Sequence, residues 1–325
     1  MPRMRKVLVV QPLHPQATAL FDARADVDYV VVDDVSEANL LRHVDGAEAM
    51  TIRDAPLPAS VVLAAEHLRV ISRHGVGYDN IPIELCTERG IPVTLVGAAN
   101  AVSVAEHTML LMLAAARSAI ALDGAVRRGD FAIRSRALGV ELRGRTLVLV
   151  GYGRIGREVA TRAGAFGMHV CVVDPYLTAQ VDGMERIENL DAALARADVL
   201  TLHVPLSDET RNMIGERELA LMPRGGILVN ASRGGLVDEQ ALVDAVRSGH
   251  LHGAGIDTFS VEPLPPTSPL AGEPRIVLSP HSAALTEQAL IAMGVTTVRN
   301  ALDGLDGNID PTLVVNPSTL ANVRA

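Results

Sequence analysis

Arg233, Glu262 and His281 each follow a short apolar run and carry groups that can bind an anion, steady a ring and move a proton. Arg233 comes after Ile227-Leu-Val-Asn-Ala-Ser, Glu262 just past Gly255-Ile-Asp257-Thr-Phe-Ser-Val, and His281 after Ile276-Val-Leu-Ser-Pro. If these runs are strands of an open α/β sheet, their carboxyl ends border one crevice, and residues distant in sequence converge there. Reducing a 2-oxo acid needs a cation for the carboxylate and a proton donor for the oxygen that becomes an alkoxide as hydride arrives. The rigid donor fork of the Arg233 guanidinium fits the first role. The imidazole of His281 titrates near neutral pH and fits the second. Glu262 would hydrogen-bond the other ring nitrogen and raise the pKa of His281 by stabilising imidazolium.

A hydride also needs a carrier, and the chain contains a dinucleotide fingerprint. Thr146 to Val150 is an apolar, β-branched run suited to a buried parallel strand, and glycines begin where it should stop. Gly151 would permit the tight turn, Gly153 would let backbone approach a pyrophosphate, and Gly156 would let the next helix pack on the strand. Arg154 and Ile155 lie between the last two glycines, at the helix N-terminus whose N–H groups face the phosphates. A second run, His169 to Val173, ends in Asp174-Pro175, where a carboxylate can accept hydrogen bonds from an adenosine ribose. A 2′-phosphate would meet that carboxylate with like charge, which favours NAD over NADP.

The elements needed to position these residues recur along all 325 residues. Strand-like runs at Val7 to Val10, Tyr29 to Val32, Ala49 to Ile52, Val70 to Ser72 and Val93 to Val96 alternate with helix-like stretches such as Pro15 to Ala23 and Glu37 to Val44. A long, nearly uncharged helix begins at Asn100 or Ser103 and runs through Leu122, apolar on nearly every side and therefore buried, as a bridge between domains and a subunit contact. Beyond the glycine loop, further strands bring that sheet to about six. Thr286 to Leu305 is another helix, and the tail Asp310-Pro-Thr-Leu-Val-Val-Asn-Pro is extended and returns to the first domain. The expected fold is α/β with two doubly wound parallel-sheet domains. Residues 1–98 plus 286–325 form a discontinuous flavodoxin-like substrate domain, and residues 99–285 a Rossmann NAD-binding domain.

With aromatic residues at 2% and no Trp, the cores must be built from Ala, Val, Leu and Ile, as in sheets covered by helices. A net charge of −9 argues against nucleic acid or an anionic membrane as the main partner. Cys86 and Cys171 lack metal-type spacing and read as reduced core thiols, so a cytoplasmic protein without a metal is expected. The N-terminal apolar run is too short for a signal sequence, and none is long enough to span a bilayer.

The settings Asn230-Ala-Ser-Arg233-Gly-Gly-Leu-Val-Asp-Glu, Gly253-Ala-Gly-Ile-Asp257-Thr-Phe-Ser-Val-Glu262-Pro and Ser279-Pro-His281-Ser-Ala-Ala resemble the D-isomer-specific 2-hydroxyacid dehydrogenase family. So do the glycine loop, His203-Val-Pro-Leu and His74-Gly75-Val76-Gly77-Tyr78-Asp79-Asn80-Ile, and the likeness covers most of the chain. The resemblance implies a homodimer built around the NAD domain, with catalysis in a cleft between domains. It makes Arg233 the carboxylate-binding arginine, Glu262 the partner acid and His281 the general acid/base. It places the N–H groups of Val76 and Gly77 at the substrate carboxylate and Asp257 near the nicotinamide amide. Ser103 or Val104, His203, Pro205, Ala231, Ser232 and Ala283 look like further cofactor-lining positions.

Within that family the chain is most similar to the D-3-phosphoglycerate dehydrogenase and hydroxypyruvate reductase branch, partly through Gly153-Arg-Ile-Gly-Arg-Glu-Val-Ala and Asp174-Pro-Tyr. Arg53 and Arg73 match positions where phosphoglycerate enzymes carry cations near the substrate, and His74 neighbours them. Feedback through the C-terminal regulatory domain of the long phosphoglycerate enzymes is not expected. Ser282-Ala283 after His281 departs from the commoner patterns and bears on the substrate. Two alternatives stand beside phosphoglycerate oxidation. One is glyoxylate or hydroxypyruvate reduction, and the other is an NADH-sensing, corepressor-like binding protein on the same scaffold.

Overall fold

The computed structural model describes residues 3–178, 181 and 183–321, and the chain divides into two compact units, Met1–Asn100 with Leu285–Ala325, and Ala101–Ala284. In the first unit, strands β1 (Arg5–Val10), β2 (Val27–Val32), β3 (Ala47–Ile52), β4 (Val70–Arg73) and β5 (Val93–Thr94) lie in the order β2-β1-β3-β4-β5. Every ladder among them is parallel. Parallel neighbours need crossovers, supplied by α1 (Pro15–Asp22), α2 (Glu37–Val44), α3 (Ala59–Ala64) and α4 (Ile83–Glu88). Alternate side chains of β1 serve opposite layers: Leu8 and Val10 join one apolar cluster, Val7 and Val9 the other. This is the doubly wound order of flavodoxin-like sheets.

The second unit opens with α5 (Ala101–Ala116) and α6 (Ala119–Arg127). A single helix through Leu122 was expected. Ser118, at φ 50°, breaks it into two, because one residue in the left-handed region ends the α-helical ladder. Seven parallel strands follow: β6 (Thr146–Val150), β7 (His169–Val173), β8 (Glu185–Arg186), β9 (Val199–Leu202), β10 (Gly226–Asn230), β11 (Leu251–Ile256) and β12 (Ile276–Leu278). Their order, β12-β11-β10-β9-β6-β7-β8, has one strand beyond the six expected: β8, only two residues long, which carries no apolar run to reveal it. Helices α7 (Arg154–Ala165), α8 (Leu190–Leu194), α9 (Glu216–Leu221) and α10 (Glu239–Arg247) connect the strands. The chain order reverses between β6 and β9, and in open α/β sheets ligands bind beyond the strand ends at such a reversal.

Helix α11 (Glu287–Asp306) then packs on α1, β3 and β4 of the first unit. The Thr286 hydroxyl caps its N-terminus by accepting from the Ala289 N–H, and Gly307 at φ 77° closes it. The tail is not simply extended, because Asp310 caps a 3₁₀ turn over Pro311–Leu313 before Val314 bridges antiparallel to Thr94. An acidic cap followed by proline is itself a helix-start signal.

The sheet surface that carries the site depends on small residues. Helix α5 lies against β11 at Gly255, where a Cβ would come within 2.7 Å of Leu111 Cβ and 3.3 Å of the Leu111 backbone. Gly255→Ala must therefore push α5 off the sheet, at a cost of about 1–3 kcal/mol for overpacking. Thermal denaturation of that variant should show a melting temperature lower by several degrees, and an unchanged one would contradict this packing.

Candidate active site

Arg233, Glu262 and His281 sit on the loops that leave β10, β11 and β12. His281 Nδ1 lies 2.9 Å from Glu262 Oε2, and Glu262 Oε1 accepts the Phe259 N–H at 3.0 Å, so the carboxylate is held at both oxygens. Arg233 Nη1 donates to the Ser232 carbonyl at 2.8 Å. Asn230, the last residue of β10, fixes that turn by donating to the Arg233 carbonyl and accepting from the Ser232 N–H.

The His281 backbone has φ 50°, unusual for a residue with a side chain, and its N–H donates to the Asp257 carbonyl at 2.8 Å. Asp257 is wholly buried and organises the turn around it. Its Oδ1 accepts the Ser279 hydroxyl at 2.6 Å and the Ser282 N–H at 2.9 Å, and its Oδ2 accepts the Ala283 N–H at 3.0 Å. His107 Nε2, from α5, is 3.4 Å from Oδ1 and 2.8 Å from the Ser279 oxygen. The Ser103 hydroxyl donates to the Ala283 carbonyl at 2.7 Å. Burial alone would raise the Asp257 pKa, yet His107, Ser279 and the two N–H groups together hold it below the ordinary range.

The hydrogen bond to Glu262 raises the pKa of His281, against burial and the opposing charge of Arg233. Burial pushes Glu262 upward, but the bonds from His281 and the Phe259 N–H, with the charges of His281 and Arg233, leave it below its usual value. The two shifts have one cause: each partner of the His281–Glu262 bond stabilises the charged form of the other. The raised His281 pKa makes a stabilising contribution that is full below about 6.5 and lost as pH rises through the folded value. The depressed Glu262 pKa makes one that is present above its ordinary range and lost as pH falls.

A cradle lies at the chain reversal. Gly151, at φ 95°, packs so tightly against β9's exit that a Cβ would stand 2.5 Å from the His203 carbonyl oxygen. Gly156 presses on the same turn, its Cβ position 2.3 Å from the Gly151 oxygen. At Gly153 a Cβ would meet nothing within 4 Å, and this glycine begins α7 without a capping side chain. Open space in front of unsatisfied helix N–H groups suits a pyrophosphate, so the residues fit a dinucleotide. Asp174 holds the rim, with Oδ2 accepting the Tyr152 N–H and Oδ1 the Tyr176 N–H, each at 2.8 Å. His203 is half-buried, driven down to about 4 by desolvation of its ring, and shares a 3.0 Å hydrogen bond with Thr201. Arg154 and Ile155 begin α7, Pro175 follows Asp174, and Val104, Pro205, Ala231 and Ser232 also lie in this unit.

Arg53, Arg73, His74, Val76 and Gly77 belong to the other unit, at and beyond the ends of β3 and β4. Arg73 is buried beneath the loop. It donates to the His74 carbonyl and pairs with Asp54 at 3.2 Å, and the space above Gly75 is filled by its guanidinium. Arg53 Nη1 donates to the Pro12 carbonyl at 2.9 Å. Burial, with the charges of both arginines, drives His74 down to about 4, so it is neutral at pH 7.

Residues 109–283 match the family model described as D-isomer specific 2-hydroxyacid dehydrogenase, NAD binding domain. A glyoxylate reductase of Korarchaeum cryptofilum is 37% identical over 286 residues, covering 86% of each chain. The chain belongs to the D-isomer specific 2-hydroxyacid dehydrogenase family. A D-3-phosphoglycerate dehydrogenase of Methanocaldococcus jannaschii is 39% identical over 97% of this chain, which spans only 60% of that relative's length. The TT0316 protein of Thermus thermophilus superposes with a TM-score of 0.87 at 36% identity, over 95% of this chain and 99% of its own. Two polar residues that hold the His281 turn in this family member, His107 and Ser279, are absent from the residues expected from sequence. Glu106 and His107 are the only ionisable residues in α5, a signal that could have marked them.

Glu262→Gln removes the charge that raises His281. Its imidazole midpoint, followed by NMR, should then fall toward or below the ordinary 6.5, because burial and Arg233 are left to act. An unchanged midpoint would separate the two residues electrostatically.

Proposed function

We propose that this chain is an NAD-dependent dehydrogenase interconverting a small D-2-hydroxy acid and its 2-oxo acid, like D-3-phosphoglycerate dehydrogenase. The observation that carries the reading is the His281–Glu262 hydrogen bond beside Arg233, on the same sheet edge as the glycine cradle. The loop from Gly151 to Gly156, the N-terminus of α7 and Asp174 would hold the dinucleotide. A bound nicotinamide supplies hydride in reduction and accepts it in oxidation. Arg233 binds the substrate carboxylate by paired donors. In reduction, protonated His281 gives its Nε2 proton to the carbonyl oxygen while Glu262 steadies the ring at Nδ1; in oxidation neutral His281 takes the hydroxyl proton. The discontinuous unit acts as the substrate domain, with Val76 and Gly77 contributing N–H groups.

The phosphate reading rests on Arg53, Arg73 and the phosphoglycerate relatives. The second reading is a glyoxylate or hydroxypyruvate reductase. It draws on the 86% mutual coverage with a glyoxylate reductase and on Arg73, whose guanidinium is committed to His74 and Asp54. We also propose a homodimer, since Val102, Leu110, Ile120, Val126, Phe131 and Leu138 are exposed on and after α5. Among the described residues no single helix is long and apolar enough to cross a membrane. The buried, unpaired Cys86 and Cys171 support placement in the cytoplasm.

NADH consumption should be measured across glyoxylate, hydroxypyruvate, phosphohydroxypyruvate, pyruvate and bulkier 2-oxo acids. A preference for the phosphorylated acid, lost in Arg53→Ala, supports the phosphoglycerate reading, and equal use of hydroxypyruvate favours the reductase. His281→Ala should lower kcat by about 10²–10⁴-fold with little change in NADH affinity. No consumption with any of these acids would overturn the proposal.

A further inference from the structure

One half-buried imidazole lies outside the catalytic assignments above. His107 comes from the middle of α5, a helix whose other residues are nearly all apolar, and its own side chain is only 16% exposed. Its Nε2 contacts the Ser279 oxygen at 2.8 Å, and Ser279 is two residues before His281.

The hydrogens in this contact can be assigned by counting. Asp257 accepts the Ser279 hydroxyl at 2.6 Å, and an ionised carboxylate has no proton to give back. Ser279 has one hydroxyl proton and spends it on Asp257, so its oxygen can only accept from His107. His107 must therefore carry its proton on Nε2. The result is a directed chain from His107 Nε2–H to Ser279 O–H to Asp257. From there Asp257 reaches the N–H groups of Ser282 and Ala283 through its side chain and that of His281 through its carbonyl.

The turn held by this chain is one that its sequence would not adopt unaided. His281 sits at φ 50°, where a residue with a Cβ is strained, so its geometry must be imposed by neighbours. Without the His107 donor, the Ser279 oxygen is held only by its own bond to Asp257, and Asp257 loses the 3.4 Å contact with the imidazole. We propose that His107 is a positioning residue: through Ser279 and Asp257 it locks the left-handed turn that presents His281 to Glu262 and to the substrate. The inference rests on the assignment of His281 as the acid/base group. His107 touches neither substrate nor the reacting atoms in this account.

The test uses the full chain with His107→Leu, His107→Gln, Ser279→Ala and the double variant His107→Leu/Ser279→Ala. Glutamine returns an N–H donor near the position of Nε2, whereas leucine keeps bulk without the donor. In the free protein, the His281 midpoint read by NMR should be raised in wild type, drop toward 6.5 in His107→Leu and stay raised in His107→Gln, because the Glu262 bond is its main support. In turnover, His107→Leu should lower kcat by about 10–100-fold with NADH affinity nearly unchanged, and His107→Gln should restore most of it. Ser279→Ala should match His107→Leu, and the double variant should be no worse than either single one, as expected for members of one chain.

The inference is overturned if leucine leaves both the midpoint and kcat at wild-type values, if glutamine falls as far as leucine, or if the two single effects multiply. Should His107→Leu fail to fold, the comparison of Ser279→Ala and His107→Gln with wild type decides it. If wild type consumes no NADH with any 2-oxo acid, the proposed function has failed, and the NMR midpoints still decide the positioning role.

Discussion

A carboxylate removed from water must find donors for its oxygens, and the candidate site of this protein is arranged around one. Asp257 is fully buried at the end of β11, where an unpaired charge would cost several kcal/mol. It meets that demand by drawing in Ser279, the N–H groups of Ser282 and Ala283, and His107 from α5. The same bonds bend residues 279–283 into a turn that places the His281 ring against Glu262. Satisfying a buried charge and aiming the proposed acid/base group are thus one structural event. Close packing of α5 on Gly255 lets the helix bring its imidazole near enough to join.

The dinucleotide cradle follows from a different constraint, steric rather than electrostatic. At the chain reversal between β6 and β9, two glycines make backbone contacts that exclude a Cβ, and a third leaves open space before α7. Asp174 ties the end of β7 to the start of that loop through the Tyr152 N–H. Both arrangements are products of the same parallel sheet, whose strand ends point one way and so gather Gly151, His203, Arg233, Glu262 and His281 on one edge.

The parts legible in the sequence are those whose physical requirement is local. The glycine spacing, the runs ending at Asp174 and Asn230, and the polar residues just past strand ends can be read within a few positions, and both sheets follow from the alternation of runs. What escaped depends on long-range contact. His107 and Ser279 are 172 residues apart, and nothing near either one states that they meet. Arg73 reads as a cation near the substrate, but its guanidinium lies against Gly75 and bonds the His74 carbonyl and Asp54. Ser118 breaks a helix without glycine or proline to announce it, and β8 is too short to leave a pattern.

The central claim is that one ionisation, that of His281 with its pKa raised by Glu262, serves both directions of the reaction. Its most direct test is the pH dependence of kcat/KM for 2-oxo acid reduction and for 2-hydroxy acid oxidation in the same enzyme. The account predicts a shared midpoint above 6.5, with reduction lost as pH rises through it and oxidation lost as pH falls through it. Limbs on the same side, or profiles flat across that range, would contradict it.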